Sequence, residues 1–306
     1  MLFSPPQMPP SKTPVITVWI HGTKPEECLP SPFAKLAKRI GNIIFHSKPG
    51  LVHANVFNKH HYDAIRASAL VATEPTLFQT EYIYSFGWSG KLNLQARKNA
   101  SQELFCCLKI LVQSTEQKTG LTPEIILIAH SHGGNVVLHL AEIKDSDGFE
   151  LIISKAILLA CPVQKDTAHL ISSPIFQRIY SLHSHTDMIQ IVDMQGLHRK
   201  RKSDKPLFSE RHFDTHPRLI QAHIRWKNCP TWDDEDRIIN EIMLKTLTDG
   251  IKMINYLKKN RGLFHVEFQL LPFIRQLGGV INNLDVLFDT NTNCDSHRDH
   301  DIIIEL

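Results

Sequence analysis

The run Ala129-His130-Ser131-His132-Gly133-Gly134 is the part of the chain best suited to nucleophilic chemistry. The apolar run IILIA precedes it, and a stretch with helical periodicity follows it. A serine in a sharp turn from strand to helix is strained, and it needs small residues two positions before and after it, as Ala129 and Gly133 are. We therefore predict that Ser131 is a nucleophile. The backbone N–H of His132 and the helix dipole could hold an oxyanion. The alternative is a glycine-rich turn with a capping serine.

Two further short motifs lie upstream of this turn. VWIHGT contains His21-Gly22-Thr23, and FGWSG contains Trp88-Ser89. Together with AHSHGG they resemble the lipase and esterase branch of the α/β-hydrolase superfamily, and the order of elements resembles it over nearly the whole chain. Ala129 stands where most members have glycine, a replacement that some lipases share.

The resemblance implies a second oxyanion donor, the backbone N–H of Thr23, in the loop after an early strand. Gly22 would let the backbone approach the substrate, although a simple turn after a strand would also place a His-Gly pair here. We expect six residues to line the site: His21, Gly22, His130, Gly133, Trp88 and Ser89.

The resemblance also implies an acid that follows the nucleophile in the chain, at the end of a later strand. RIYSLHSHTD ends in Asp187, whose carboxylate could orient and stabilise a catalytic imidazole. Asp193 lies in the same loop and is the second choice. A solvated turn residue is the alternative for Asp187.

The histidine should follow the acid, in a loop between the last strand and a closing helix. Five histidines satisfy the order: His198, His212, His216, His223 and His265. His265 directly precedes a predicted closing helix, so we choose it as the base. His223 lies within an apparent strand, and His216 precedes Pro217 in a polar loop and stays an alternative. His130 and His132 are too constrained by the turn to act as its base.

These residues require a mostly parallel, doubly wound sheet with helices on both faces. Apolar runs predict strands within residues 14–23, 81–90, 125–129, 154–163, 178–187 and 218–228, and helical periodicity predicts helices within 32–45, 95–115, 135–143, 233–260 and 268–284. Strands that alternate with helices are typical of an α/β fold. We expect a proline-rich arm at 1–13, one α/β-hydrolase domain with helical insertions at 14–290, and a tail at 291–306.

Two segments could form a lid over the site: Cys28 to Thr80, between the first two strands, and Gln164 to Gln177. We expect both to be surface insertions. An apolar slot formed by them would favour a lipase, and a small polar cleft would favour an esterase acting on small esters.

Composition narrows the class of protein. The chain has 306 residues, of which 42% are hydrophobic and 21% charged, as in a folded globular protein. The formal charge of +3 gives no reason to expect a nucleic-acid partner, although 18 histidines would make the charge rise below about pH 6.5. The six cysteines show no C-x-x-C spacing, and we interpret them as reduced thiols.

The N-terminal residues are relevant to where in the cell the protein is found. The first residues lack the apolar region of a signal peptide, and no stretch approaches the about 18 apolar residues of a membrane span. We expect a cytoplasmic protein, with signal-independent export left open.

Residues 198–205 begin with His-Arg-Lys-Arg-Lys and could contact anionic membrane surfaces, although such runs are more often solvated loops. Residues 294–300 have metal-ligand residue types without a recognised spacing, so we assign no metal.

The expected activity is hydrolysis of a carboxylic ester by a Ser-His-Asp triad, without a cofactor. A thioesterase or an acyltransferase could use the same fold. The alternative from another class is a non-catalytic relative that binds a lipid or a protein.

Overall fold

A computed structural model describes residues 12–23, 49–143, 148–184, 187, 212–227, 268–291 and 302–306. Several predicted features lie outside these residues: the helices at 32–45 and 233–260, the basic run at 198–205, Asp193, His198 and His265.

The described residues form eight strands and four α-helices. The strands are β1 (Val15–Ile20), β2 (Gly50–His53), β3 (Ile83–Gly87), β4 (Glu124–His130), β5 (Ile153–Leu159), β6 (Phe176–His183), β7 (Leu219–Arg225) and β8 (Ile302–Glu305). The helices are α1 (Tyr62–Thr73), α2 (Leu94–Thr119), α3 (His132–Leu138) and α4 (Leu271–Asn291).

All eight strands belong to one sheet in the order β2-β3-β1-β4-β5-β6-β7-β8. β2 runs antiparallel to β3, and the other neighbouring pairs are parallel. The predicted sheet is thereby confirmed. Because the parallel strands end at the same edge, the residues that follow β1, β3, β4 and β6 gather at one side of the molecule.

The sheet is covered on both faces, as the doubly wound prediction requires. Alternate residues of β1 enter different cores: Ile16, Val18 and Ile20 pack with α2 and α3, whereas Val15 and Trp19 pack with α1 and α4. This alternation follows from the period of two of a β-strand. Both faces being buried explains why the central strands are continuous apolar runs.

Three elements differ from the expectations. Residues 49–80, part of the first lid candidate, contain strand β2 and helix α1, which belong to the sheet and to a helical layer. The second candidate, 164–177, includes the buried residues Gln164, Thr167, Leu170 and Ile171, so its described side chains are partly core. The expected tail at 291–306 ends in β8, which pairs with β7 and extends the sheet.

Among the described residues, no helix is long and apolar enough to cross a membrane. Within those same ranges, no group of three or more histidine, cysteine or acidic side chains could hold a metal ion.

Candidate active site

Ser131 occupies a strained turn between β4 and α3. Its backbone has φ 52° and ψ −132°, a conformation that L residues rarely adopt. The Ser131 N–H donates to the carbonyl of Leu159 at 2.8 Å, and the Ser131 carbonyl accepts from the Gly134 N–H at 2.9 Å. Such strain costs about 1–3 kcal/mol and persists where the surroundings enforce it. A strained serine between a parallel central strand and a helix is called a nucleophile elbow, and this arrangement is characteristic of one fold.

The chain has the α/β-hydrolase fold.

Two glycines permit the close approach that this elbow needs. A Cβ at Gly22 would lie 2.6 Å from Ser131 Cβ and 2.9 Å from the His130 carbonyl oxygen. A Cβ at Gly133 would lie 2.5 Å from the His21 carbonyl oxygen. No larger residue fits either position without a backbone shift, so the loop after β1 and the elbow of the hydrolase fold are packed directly against each other.

His21 and Trp88 hold the loop after β1 in place. The Trp88 backbone N–H donates to His21 Nε2 at 3.1 Å, and Trp88 Nε1 donates to the His21 carbonyl at 2.8 Å. With Nε2 as an acceptor, we assign the ring proton to Nδ1, which donates to the Gly22 carbonyl at 2.6 Å. The two rings also stack at 5.8 Å. These contacts fix the backbone on which Gly22 and Thr23 lie.

Thr23 and Ser89 occupy different surroundings. Thr23 is half-buried, and its hydroxyl has no hydrogen-bond partner in the described part of the chain. Ser89 is exposed, and its hydroxyl accepts from the Lys91 N–H at 3.4 Å. Trp88 and Ser89 line a cavity of about 530 Å³ that continues along the first turns of α2. Its wall combines polar side chains, among them Asn93, Asn99 and Glu103, with small or aromatic apolar ones.

Asp187 lies just beyond β6, the second neighbour of β4 in the sheet. The residue is fully buried, and its N–H donates to the Ser184 carbonyl at 3.2 Å. Its position after a late parallel strand is the one predicted for the acid.

Three histidines meet at the carboxyl ends of β6 and β7, close in sequence to Asp187. The ring of His183 lies 4.7 Å from that of His212 and 5.8 Å from that of His223, with His183 and His223 opposite each other in the sheet. Sequence reasoning singled out neither His183 nor this grouping. The signal was the strand end RIYSLHSHTD, where His183 directly precedes the turn that carries Asp187.

His216, kept as an alternative base, lies at the opposite edge of the sheet. Its carbonyl accepts from the N–H of Leu219, the first residue of β7, and its ring Nδ1 accepts from the Arg218 N–H. Seven residues of β7 separate it from the carboxyl edge, a distance of about 20 Å at roughly 3.3 Å per residue. His216 therefore lies too far from Ser131 to take its proton.

Asn135 is a further residue that sequence reasoning missed. Its side chain lies in α3, fully buried, and donates from Nδ2 to the Pro162 carbonyl at 3.1 Å. Its Oδ1 accepts a hydrogen bond from the Thr167 hydroxyl. These bonds attach the helix that follows Ser131 to the segment after β5. The segment begins at Ala160, whose φ is 48°.

The comparisons with known proteins give limited guidance. No family model and no curated protein matches the chain. Among solved structures, siderophore hydrolase EstB from Aspergillus fumigatus is similar at 13% identity, over 92% of this chain and 93% of that chain, with a TM-score of 0.37. A cell surface protein of Lactobacillus plantarum, named provisionally as a hydrolase, is similar at 13% identity over 81% and 98%, with a TM-score of 0.34. Similarity this low says nothing about activity, and the fold assignment rests on strand order and the elbow.

Proposed function

We propose that this chain is a serine hydrolase that cleaves carboxylic esters through an acyl-enzyme on Ser131. The observation that carries the proposal is the backbone of Ser131, strained at φ 52° at the N-terminus of α3. A serine needs no such conformation to cap a helix, whereas a nucleophile needs it to present its hydroxyl above the sheet. The close contact of Gly22 with Ser131 supports the same interpretation, because it brings the loop after β1 beside the nucleophile.

The proposed cycle transfers an acyl group in two steps. His265 takes the Ser131 proton while Oγ attacks the ester carbonyl, and the backbone N–H groups of His132 and Thr23 hold the oxyanion. The intermediate collapses when the alcohol leaves with the proton from His265. Water, deprotonated by His265, then attacks the acyl-enzyme and releases the acid and Ser131. Asp187 would orient the imidazole and stabilise its charged form.

A small ester fits the described surroundings better than a long acyl chain. Trp88 lines the cavity of about 530 Å³ and also donates to His21, which precedes the Gly22 that lies against Ser131. The apolar residues of this cavity are Pro49, Trp88, Ala96 and Ala100, with no long aliphatic side chain among them. An acyl slot is normally lined by larger apolar side chains. We propose short-chain esters as substrates and residues 198–205 as a contact for anionic membrane surfaces.

The test uses a fluorophosphonate probe, which labels only an activated serine, together with p-nitrophenyl esters of increasing chain length. The wild-type chain should be labelled and should hydrolyse acetyl and butyryl esters faster than palmitoyl esters. Ser131→Ala should abolish labelling and hydrolysis with little change in the melting temperature, because the hydroxyl contributes little to packing. Ser68→Ala is the matched control, an exposed serine in α1, and should keep both.

Two results would reject the proposal. Hydrolysis by Ser131→Ala at the wild-type rate would remove Ser131 as the nucleophile. A folded wild-type chain that the probe leaves unlabelled would favour the non-catalytic binding protein.

A further inference from the structure

Two arginines are buried in the described part of the chain, and their surroundings differ. Arg66 in α1 is 3% exposed and forms an ion pair with Asp63, and its guanidinium lies 4.1 Å above the ring of Trp19. Arg97 in α2 is 0% exposed, and none of its three guanidinium nitrogens has a hydrogen-bond partner in the described part of the chain. The charge of Arg66 is therefore neutralised by a contacting carboxylate, whereas no carboxylate in the described part of the chain contacts Arg97.

A second polar group beside Arg97 is also buried without a hydrogen-bond partner in the described part of the chain. Ser101 follows Arg97 by one turn on the same face of α2, is fully buried, and its hydroxyl has no hydrogen-bond partner among the described residues. Residues four apart in a helix are neighbours on its surface. Buried hydrogen-bond donors almost always have partners. Arg97 and Ser101 thus present up to six adjacent donor hydrogens to the interior of the protein.

Among the described residues, no charged group near Arg97 is close enough to act as its counter-ion. Burial lowers the pKa of the Arg97 guanidinium, and Asp166 opposes this shift from beyond ion-pair distance. Burial also lowers the pKa of His139, which Glu142 opposes and the charges of Lys98 and Arg97 reinforce. A buried guanidinium without a contacting anion is costly, because desolvation is not repaid by attraction.

We propose that Arg97 and Ser101 form a closed binding site for a small inorganic anion of the size of chloride, behind the helix that follows Ser131. Complete burial of both residues encloses the ligand, which excludes an anion carried on a larger molecule. A water molecule would satisfy the hydrogen bonds but would leave the charge uncompensated. The site is separate from the proposed catalytic residues, and its occupation is measurable whether or not the chain hydrolyses esters.

The first experiment follows thermal unfolding of the full-length chain at constant ionic strength while sodium gluconate is replaced by sodium chloride or bromide. A ligand that binds only the folded state raises the melting temperature as its concentration rises. We expect a halide-specific rise in the wild type and none in Arg97→Met, which keeps the side-chain length and removes the charge. Arg97→Met should also melt higher than the wild type in gluconate, because it removes an uncompensated buried charge.

Two further variants serve as controls. Asp166→Asn should keep the halide response, since Asp166 does not contact Arg97. Ser101→Ala should shift the response to higher halide concentration, because the anion loses one donor. Crystals of the wild type soaked in bromide should show anomalous density within hydrogen-bonding distance of Arg97, a result that needs no folded variant.

Three outcomes would overturn the site. They are a melting temperature that depends on ionic strength alone, a halide response that survives in Arg97→Met, and bromide-soaked crystals without density at Arg97. A halide response that appears only in Asp166→Asn would also overturn it, because Asp166 would then be the counter-ion of Arg97 in the wild type.

Discussion

Ser131 and Asp187 are the two site residues for which the structure gives the most direct information. Ser131 is strained, and its Cβ faces the glycine backbone of the loop after β1. Asp187 is completely buried, at the position where the proposed mechanism needs an acceptor for the imidazole N–H. The two residues follow parallel strands separated by β5 alone, a spacing of about 10 Å at roughly 4.7–4.9 Å per strand, which matches the imidazole that the mechanism places between them.

Replacing Asp187 with asparagine should leave the fold intact and lower ester turnover by about 10⁴, because the amide stabilises the wrong imidazole tautomer. Steady-state kinetics on a short-chain ester measures the loss, and circular dichroism checks the fold. Asp193→Asn is the matched control and should lose far less activity. If Asp193→Asn lost more than Asp187→Asn, the acid would be Asp193.

The base can be identified by replacing histidines one at a time. His265→Ala should abolish turnover and fluorophosphonate labelling, because triad members act as a unit and loss of the base is about as severe as loss of the serine. His216→Ala and His223→Ala should keep labelling, since His216 lies at the far edge of the sheet and His223 is held within β7. His212→Ala is the sharpest comparison, because His212 lies beside His183 near the carboxyl edge. Wild-type labelling in His265→Ala with loss in His212→Ala would move the base to His212.

The sequence predicted Ser131 but could not select the histidine, for a physical reason. A nucleophile elbow is a local feature, since strand, turn, small residues and helix are contiguous in the chain. The base comes from a distant loop, and chain order leaves five candidates. Of the five candidate histidines, strand direction excludes His216 alone, because it places His216 at the far edge of the sheet.

At the scale of elements, long buried strands were predictable and short edge strands were not. β4 contains the apolar run IILIA and β5 ends in the apolar run AILL, and their predicted positions match within a few residues. β2 and β8 have four residues each, too few for a clear pattern. Helix α1 was missed because its buried face includes the charged residues Asp63 and Arg66, which a hydrophobic pattern counts as exposed.

Helices α1 and α4 pack so closely that one of two adjacent glycines cannot be replaced. A Cβ at Gly278 would lie 2.7 Å from Glu74 Cβ, at the end of α1, whereas a Cβ at Gly279 would meet nothing within 4 Å. Gly278→Ala should therefore destabilise the protein by about 1–3 kcal/mol through overpacking. Gly279→Ala should stabilise it by up to about 1 kcal/mol, because alanine favours a helix more than glycine does. Urea unfolding of both variants measures the difference, and equal effects would contradict the described packing.

At the scale of the whole molecule, the two edges of the sheet serve different purposes. The carboxyl edge carries Ser131, Asp187 and the three neighbouring histidines His183, His212 and His223. Nearer the amino edge, Asp285 of α4 accepts hydrogen bonds from Tyr180 at 2.5 Å and Arg178 at 3.0 Å, and it forms an ion pair with Lys155 at 3.2 Å. These contacts attach α4 to β5 and β6. The separation allows strain at one edge to be supported by packing and ion pairs elsewhere.

Stability depends on pH where a pKa differs between the folded and the unfolded chain, and His139 allows a specific prediction. The residue is 1% exposed, and its Nδ1 lies 2.8 Å from Glu142 Oε2. Burial lowers the pKa of His139 below the usual 6.5, although Glu142 opposes the shift. Above pH 6.5 the residue is neutral in both the folded and the unfolded chain. As the pH falls through 6.5, the unfolded chain binds a proton that the folded chain does not, so the free energy of unfolding decreases.

His139→Gln should remove this contribution. Between pH 6.5 and the lowered pKa, one proton contributes a slope of at most about 1.4 kcal/mol per pH unit, so the variant should lose less stability than the wild type on acidification. Urea unfolding at pH 8.0, 6.5, 6.0 and 5.5 measures the difference, with the exposed His60→Gln as the matched control. Above pH 6.5 the two slopes should coincide, because neither state gains a proton at residue 139. A His139→Gln protein whose stability falls as steeply as that of the wild type would show that folding does not lower the pKa of His139, and a steeper fall would show that Glu142 outweighs burial.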